Sequence, residues 1–216
     1  MSARPLCVGV LALQGAFREH RKALEACGAD VVEIRRPLDA SDSRFKGLGG
    51  LDGMVLPGGE STTMGKLLQD WDLLDALVNC GRAGMPLFGT CAGMILLCRE
   101  IEGPDGELLA QPRLGLLDAR ARRNAFGRQL DSFETRLDVK GVASDVEAVF
   151  IRAPLIVSTG PEVEVLAEVQ AGTEKRAVAV RQGNLLAASF HPELTGDLRL
   201  HESFLEYCRR WRGRKA

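Results

Sequence analysis

The string Leu87-Phe88-Gly89-Thr90-Cys91-Ala92-Gly93-Met94 sets one cysteine between two glycines, each two residues away, with apolar stretches on both sides. As strand, sharp turn and helix it spells a nucleophile elbow carrying sulfur: the thiol projects above the strand end, close to the first N–H groups of the next helix. The positive end of that helix favours the thiolate, which is the reactive form. Cysteine is more often a small buried hydrophobe, and that is the reading for Cys7, Cys27, Cys80, Cys98 and Cys208. No C-x-x-C pair occurs, so neither a zinc knuckle nor a dithiol motif is spelled out, and no metal is expected.

A thiol nucleophile needs a base, and the chain has three histidines. His191 closes the apolar run 185–190 and precedes Pro192-Glu193. Proline biases the residue before it toward extended backbone, and extended residues two apart share a face, so Glu193 is placed to hold the His191 ring. His-Pro-Glu alone is a weak signal, and its weight comes from its pairing with the elbow. In Leu56-Pro57-Gly58-Gly59-Glu60-Ser61, two glycines after an apolar run let backbone N–H groups approach a ligand. An N–H from Gly59 beside that of Ala92 would make an oxyanion hole for acyl transfer through a thioester. The same loop is no phosphate cradle, since Gly59 to Gly65 is one residue too long and Leu67 stands where Ser or Thr is required.

Positioning these groups calls for parallel strands followed by helices. The run 7–13 is apolar throughout, as in a strand buried on both faces, and Phe17, His20, Leu24 and Cys27 recur at helical spacing before Gly28. Strands at 31–34, 54–56 and 87–88 alternate with helices from Ser61, over 73–80 and over 92–98, which predicts a three-layer, doubly wound α/β fold. After Glu100 the pattern changes. A Gly- and Pro-bearing loop spans 103–112, alternation marks strands at 133–139, 163–169 and 177–190 (turning at Gln182-Gly183-Asn184), and an amphipathic helix closes over 198–211. The expected architecture is a mostly parallel sheet with antiparallel additions, in one domain over 1–216.

At 216 residues, with 45% hydrophobic and 26% charged residues, the chain has the composition of a folded globule. A net charge of -1 offers no field for nucleic acid, no run is long enough to span a membrane, and the first 14 residues lack the shape of a signal peptide. The expectation is a cytoplasmic protein.

Taken together, LALQGAFREH, LPGGESTTM, FGTCAGMILL, RNAFGRQLDSFE, FIRAP and SFHPELTGD, in this order across residues 11–197, resemble the class I (triad) glutamine amidotransferases. Within that class they are similar to the family of glutaminase subunits that serve pyridoxal 5′-phosphate synthase. The resemblance implies a flavodoxin-like fold and hydrolysis of L-glutamine to glutamate and ammonia, with the ammonia passed to a synthase subunit in a hetero-oligomer. Pyridoxal phosphate would be that partner's product, and the chain itself would need no cofactor. It implies Cys91 as nucleophile, His191 as base and acid, and Glu193 as its orienting group. Gly59, Glu60, Ser61, Arg123, Ile151 and Arg152 would be substrate contacts, and Gln14, Arg18, Glu19 and His20 the face toward the synthase. His201, with no carboxylate or elbow near it in sequence, is expected to be a surface or packing residue, and the 103–112 loop, longer than the family pattern, a surface loop with no effect on the assignment. Two rivals stay open: an ammonia donor to a different synthase, and a scaffold subunit with a vestigial elbow.

Overall fold

The computed structural model describes residues 4–36, 47–123, 132–171 and 173–215. Its first half alternates as the periodicities predict: β1 (Cys7–Leu11), α1 (Phe17–Ala26), β2 (Asp30–Ile34), β3 (Gly53–Leu56), α2 (Ser61–Asp70), α3 (Leu74–Arg82), β4 (Leu87–Thr90) and α4 (Ala92–Leu97). The second half is richer in strands than the sequence suggested: β5 (Cys98–Glu102), β6 (Leu117–Arg122), β7 (Ser132–Val139), β8 (Ala143–Ile151), β9 (Leu155–Thr159), β10 (Glu164–Ala171), β11 (Glu174–Gln182) and β12 (Leu185–Ala188) precede helix α5 (Arg199–Lys215).

Ten strands form one mixed sheet in the order β2-β1-β3-β4-β12-β11-β9-β6-β5, with β10 paired to β11 outside that order. β2, β1, β3, β4 and β12 run parallel side by side, whereas β11, β9 and β10 join antiparallel. Side chains alternate across the parallel strands. Leu11, Met54, Leu56, Leu87 and Ala187 pack toward Met64, Leu68, Leu77 and Met94 of α2, α3 and α4, while Val10, Val55, Phe88, Leu186 and Ala188 pack toward Leu24, Phe204 and Cys208 of α1 and α5. This is the expected three-layer arrangement. Full burial of side chains such as these stabilises by roughly 1.5–3 kcal/mol each, and two-sided burial is why the central strands read as continuous apolar runs.

The arginines of 120–123 lie in or beside β6. Leu117, Ala119 and Ala121 point inward, while Arg120 and Arg122 face outward and pair with Glu100 and Glu102 of β5. β7 and β8 form a separate hairpin. Phe133 stacks on Phe150 at 4.5 Å, and Phe150 packs on Phe190 at 5.6 Å, seating the hairpin beside the end of β12.

Candidate active site

The chain reverses direction of sheet growth between β1 and β3, since β2 lies on one side of β1 and β3 on the other. At such a switch point the loops leaving the carboxyl ends of the strands diverge and leave a crevice. A cavity of about 420 Å³ occupies that place, lined by Gln14 after β1, Gly58 to Ser61 after β3, Cys91 and Ala92 after β4, and His191 after β12. Its volume suits a small ligand.

Cys91 sits at the junction of β4 and α4 with φ +48° and ψ −106°, a backbone region that a non-glycine residue occupies at a cost of order 1–3 kcal/mol. Hydrogen bonds hold it there: its N–H donates to Ala188 O at 2.8 Å, and its carbonyl accepts from Ile95 N at 3.2 Å. The flanking glycines serve close approach and have no positive φ. A Cβ on Gly93 would lie 1.9 Å from Leu56 O, and one on Gly89 would lie 2.6 Å from the Gly93 carbonyl. The elbow thus needs both glycines to nest α4 against β3 and β4.

His191 donates its backbone N–H to Val149 O of β8 at 2.8 Å, so the hairpin holds the residue that the sequence placed at a strand end. Glu193 is not on an extended segment. Pro192–Leu194 forms a short 3-10 turn, and this turn brings Glu193 Oε1 to 2.7 Å from His191 Nδ1. Burial alone would strip the His191 ring of its proton. Hydrogen bonds to Cys91 and Glu193, together with their charges, outweigh burial and push the imidazolium up to about 10. For Glu193, burial favours the neutral acid, but the nearby rings of His20 and His191 prevail and hold the carboxyl below its ordinary range. The arrangement is a protonated imidazole beside the Cys91 sulfur, with a buried carboxylate behind it, which is the equipment for nucleophilic acyl transfer.

Gly59, Ala92, Glu60, Ser61, Arg123, Ile151 and Arg152 all line the cavity. Glu60 caps α2 by accepting from Thr62 N and Thr63 N, and burial is outweighed by these bonds and by the Arg123 charge, so its carboxyl falls to about 2. Arg123 Nη2 donates to Glu60 Oε1 at 2.9 Å and Nη1 to Thr62 Oγ1 at 2.8 Å. Ser61 Oγ is buried without a hydrogen-bond partner. Arg152 has φ +42° at the end of β8, a strained backbone at the cavity wall. The segment 124–131, which carries most of RNAFGRQLDS, lies outside the described residues.

Of the four residues expected on the face toward a partner, His20 needs correction, and Gln14 has a place in the cavity as well. Gln14 lines the cavity, where its Oε1 accepts from Glu60 N at 2.7 Å and would collide with a Cβ on Gly59. His20 is fully buried, 2.9 Å from Thr90 Oγ1 and 3.3 Å from Glu193 Oε2. Its helical spacing placed it on the inward stripe of α1, between the exposed Arg18 side and the sheet. His201 is buried too, its Nε2 3.0 Å from His20 Nδ1, and this brings it within reach of the elbow strand. A residue that the sequence reading missed is Gln111, near the end of the 103–112 loop: it is buried, and its Oε1 accepts from Thr62 and Arg123. Nothing in a Gly- and Pro-rich loop marks that glutamine, and nothing local in the sequence marks the contact of His20 with His201. Among the described residues no cluster of histidine, cysteine and carboxylate has the arrangement to hold a metal ion, and no helix is long and apolar enough to cross a membrane.

Residues 10–210 match the model of the SNO glutamine amidotransferase family. The chain is 54% identical over 202 residues to the pyridoxal 5′-phosphate synthase subunit PdxT of Pelotomaculum thermopropionicum, covering 93% of this chain and 94% of that one. It is 52% identical to the PdxT subunit of Moorella thermoacetica, covering 92% and 97% respectively. A crystal structure described as a glutamine amidotransferase superposes with a TM-score of 0.81 at 48% identity, covering 94% of this chain and 98% of that one. A putative GMP synthase protein from Thermoplasma acidophilum shares the fold, with a TM-score of 0.68 at 17% identity and 99% coverage of both chains.

Proposed function

The chain belongs to the SNO glutamine amidotransferase family, and we propose that it is the glutaminase that releases ammonia for pyridoxal 5′-phosphate synthesis, with Cys91, His191 and Glu193 as its triad. The observation that carries this reading is the convergence of the three side chains, Cys91 and His191 at the crevice wall and Glu193 Oε1 2.7 Å behind the ring, whose protonated form Cys91 and Glu193 support.

In the proposed mechanism, Cys91 Sγ attacks the γ-carbonyl carbon of glutamine, and the oxygen takes up the negative charge beside the N–H groups of Ala92 and Gly59. His191 gives its proton to the amide nitrogen as the C–N bond breaks, so ammonia leaves and a γ-glutamyl thioester remains. The now neutral ring takes a proton from water, whose oxygen attacks the thioester. Glutamate leaves, and the Cys91 thiolate is restored beside the protonated ring. Glu193 holds the ring by Nδ1 throughout and stabilises its charged form. Arg123 and Arg152 stand at the cavity wall as partners for the substrate's α-carboxylate, and the unpaired Ser61 hydroxyl and Glu60 as partners for its polar groups. The whole chain works as one glutaminase domain. Ammonia released into water would be protonated and lost as a nucleophile, so the chain delivers it while docked to the pyridoxal 5′-phosphate synthase subunit, with the exposed Arg18 and half-buried Glu19 of α1 on the face toward it.

The test is glutamine labelled with ¹⁵N in its amide, supplied to this chain together with the cognate synthase subunit. The expected result is glutamate release that depends on Cys91, with the label in the ring nitrogen of pyridoxal phosphate. Glutamate release that survives Cys91→Ala, or unlabelled pyridoxal phosphate, would overturn the proposal.

A further inference from the structure

Glu193 has two carboxylate oxygens, and the mechanism uses one. Oε1 faces His191 Nδ1, whereas Oε2 is buried and makes no hydrogen bond of ordinary geometry. His20 Nε2 lies 3.3 Å from it. The same nitrogen lies 2.9 Å from Thr90 Oγ1, on the residue preceding Cys91, and the other ring nitrogen lies 3.0 Å from His201 Nε2. His20 therefore touches both chain segments that carry the reacting groups, the elbow and the His-Pro-Glu turn, while α5 holds it from behind. Its ring also packs edge-on to Phe88 of β4 at 6.1 Å.

The surroundings settle which nitrogen carries the proton. A bare lone pair on Nε2 would face the Glu193 carboxylate at 3.3 Å and repel it, so the proton belongs on Nε2, between two oxygen acceptors. Nδ1 then accepts from the Nε2–H of His201, which leaves a lone pair on His201 Nδ1, and that atom is buried without a partner. The opposite assignment would strand a buried N–H there instead, the rarer and more costly omission. Both observations select the same tautomers. The ring is neutral: burial lowers its affinity for a proton more than Glu193 and Glu19 raise it, and the charge of His191 lowers it further. Around His201, burial and His20 lower the affinity, and Glu193 and Asp197 oppose them.

We propose that His20 is a positioning residue, whose Nε2–H, set by His201, anchors Glu193 through Oε2 so that Oε1 stays on the His191 ring. The proposal rests on the reading of Cys91, His191 and Glu193 as the triad. His20 moves no proton in the reaction. It fixes the direction of the carboxylate and keeps it ionised in a buried place, and the charge on His191 depends on both.

The test compares His20→Leu with His20→Gln in the full chain, assayed with its synthase subunit, since the glutamine amide can present an N–H where Nε2 stood. In His20→Leu, kcat should fall about tenfold, well short of the 10²–10⁴ that follows loss of an acid-base group itself. KM should stay within about twofold, and the alkaline limb of the kcat profile should move to lower pH because the imidazolium is less supported. His20→Gln should restore most of kcat and return the limb. Should the leucine variant fail to fold, ¹⁵N shifts of the His20 ring in the unaltered protein decide: a neutral ring protonated on Nε2 at pH 7 is expected, and a ring protonated on Nδ1 or on both nitrogens would overturn the proposal. Folded His20→Leu with unchanged kcat and an unmoved limb would overturn it as well. Cys91→Ala run in parallel separates the two failures, since activity that survives it removes the triad reading itself.

Discussion

Glu193 divides the buried polar groups of this protein into two regions with opposite electrostatics. On the crevice side, His191 is held as an imidazolium, up to about 10, because Cys91 and Glu193 more than offset its burial. On the packed side, two more imidazoles lie behind the same carboxylate and burial prevails: His20 is pushed down, and His201 falls to about 3. All three rings feel Glu193, but only His191 is hydrogen-bonded to it, at 2.7 Å, while His20 Nε2 stands at 3.3 Å. The second partner differs as well. His191 has a thiol that becomes an anion, whereas His20 has a hydroxyl and a neutral ring. One carboxylate thus charges the ring that does chemistry and leaves neutral the rings that hold it in place.

The strongest way to break this contrast is to remove the charged ring. His191→Asn is expected to lower kcat by about 10³, within the range for loss of a general acid-base. Removing the carboxylate that both regions share comes next. Glu193→Gln should cost about 10² in kcat and shift the alkaline limb of the pH profile downward, because the imidazolium loses the charge that supports it. Glutaminase assays across pH read both effects, and a Glu193→Gln profile superimposable on the unaltered one would contradict the assignment. A smaller effect tests geometry without touching charge. A Cβ on Gly58 would lie 2.2 Å from His191 Cε1, so Gly58→Ala must displace the ring and should lower kcat about tenfold with little change in stability.

Much of the crevice was legible because its chemistry rides on the central parallel strands. Burial on both faces of β1, β3 and β4 writes itself as unbroken apolar runs, and the turns after them carry Gln14, Gly58-Gly59 and Cys91. The packed region was not legible. His20 and His201 lie 181 residues apart, and their contact has no local pattern. The outer placing of His20 came from the family resemblance, whereas its helical spacing with Phe17, Leu24 and Cys27 sets it on the inward stripe of α1. β6 was hidden for a different reason: its outward positions alternate Asp118, Arg120 and Arg122, so a strand paired by salt bridges to β5 read as a basic stretch. Pairing of that kind is a tertiary property, and a hydrophobic period cannot report it. The hairpin's hold on His191 through Val149 O is a backbone contact and equally silent in the sequence.

The smallest expected effect concerns stability on the packed side. His201 has a folded affinity for protons well below its ordinary 6.5, so the unfolded chain binds the proton first. Its contribution is present above pH 6.5 and is lost as the pH falls from there toward 3, at about 1.4 kcal/mol per pH unit for one proton. His191, raised to about 10, has the opposite sign: its contribution is present below pH 6.5 and is lost as the pH rises toward 10. Denaturant unfolding of His201→Phe should therefore show a shallower loss of stability between about pH 6.5 and about pH 5 than the unaltered chain. Equal slopes would mean that the ring is already charged in the folded state.

What distinguishes Cys91 from the other five of the six cysteines is that the crevice arms it. The most direct test incubates the chain, together with its synthase partner, with a glutamine analogue carrying an electrophile at its γ-carbon, and follows the digested protein by mass spectrometry. One adduct per chain is expected, on Cys91, with labelling strongly slowed in His191→Asn. Label spread over other cysteines, or none on Cys91 in the assembled complex, would contradict it.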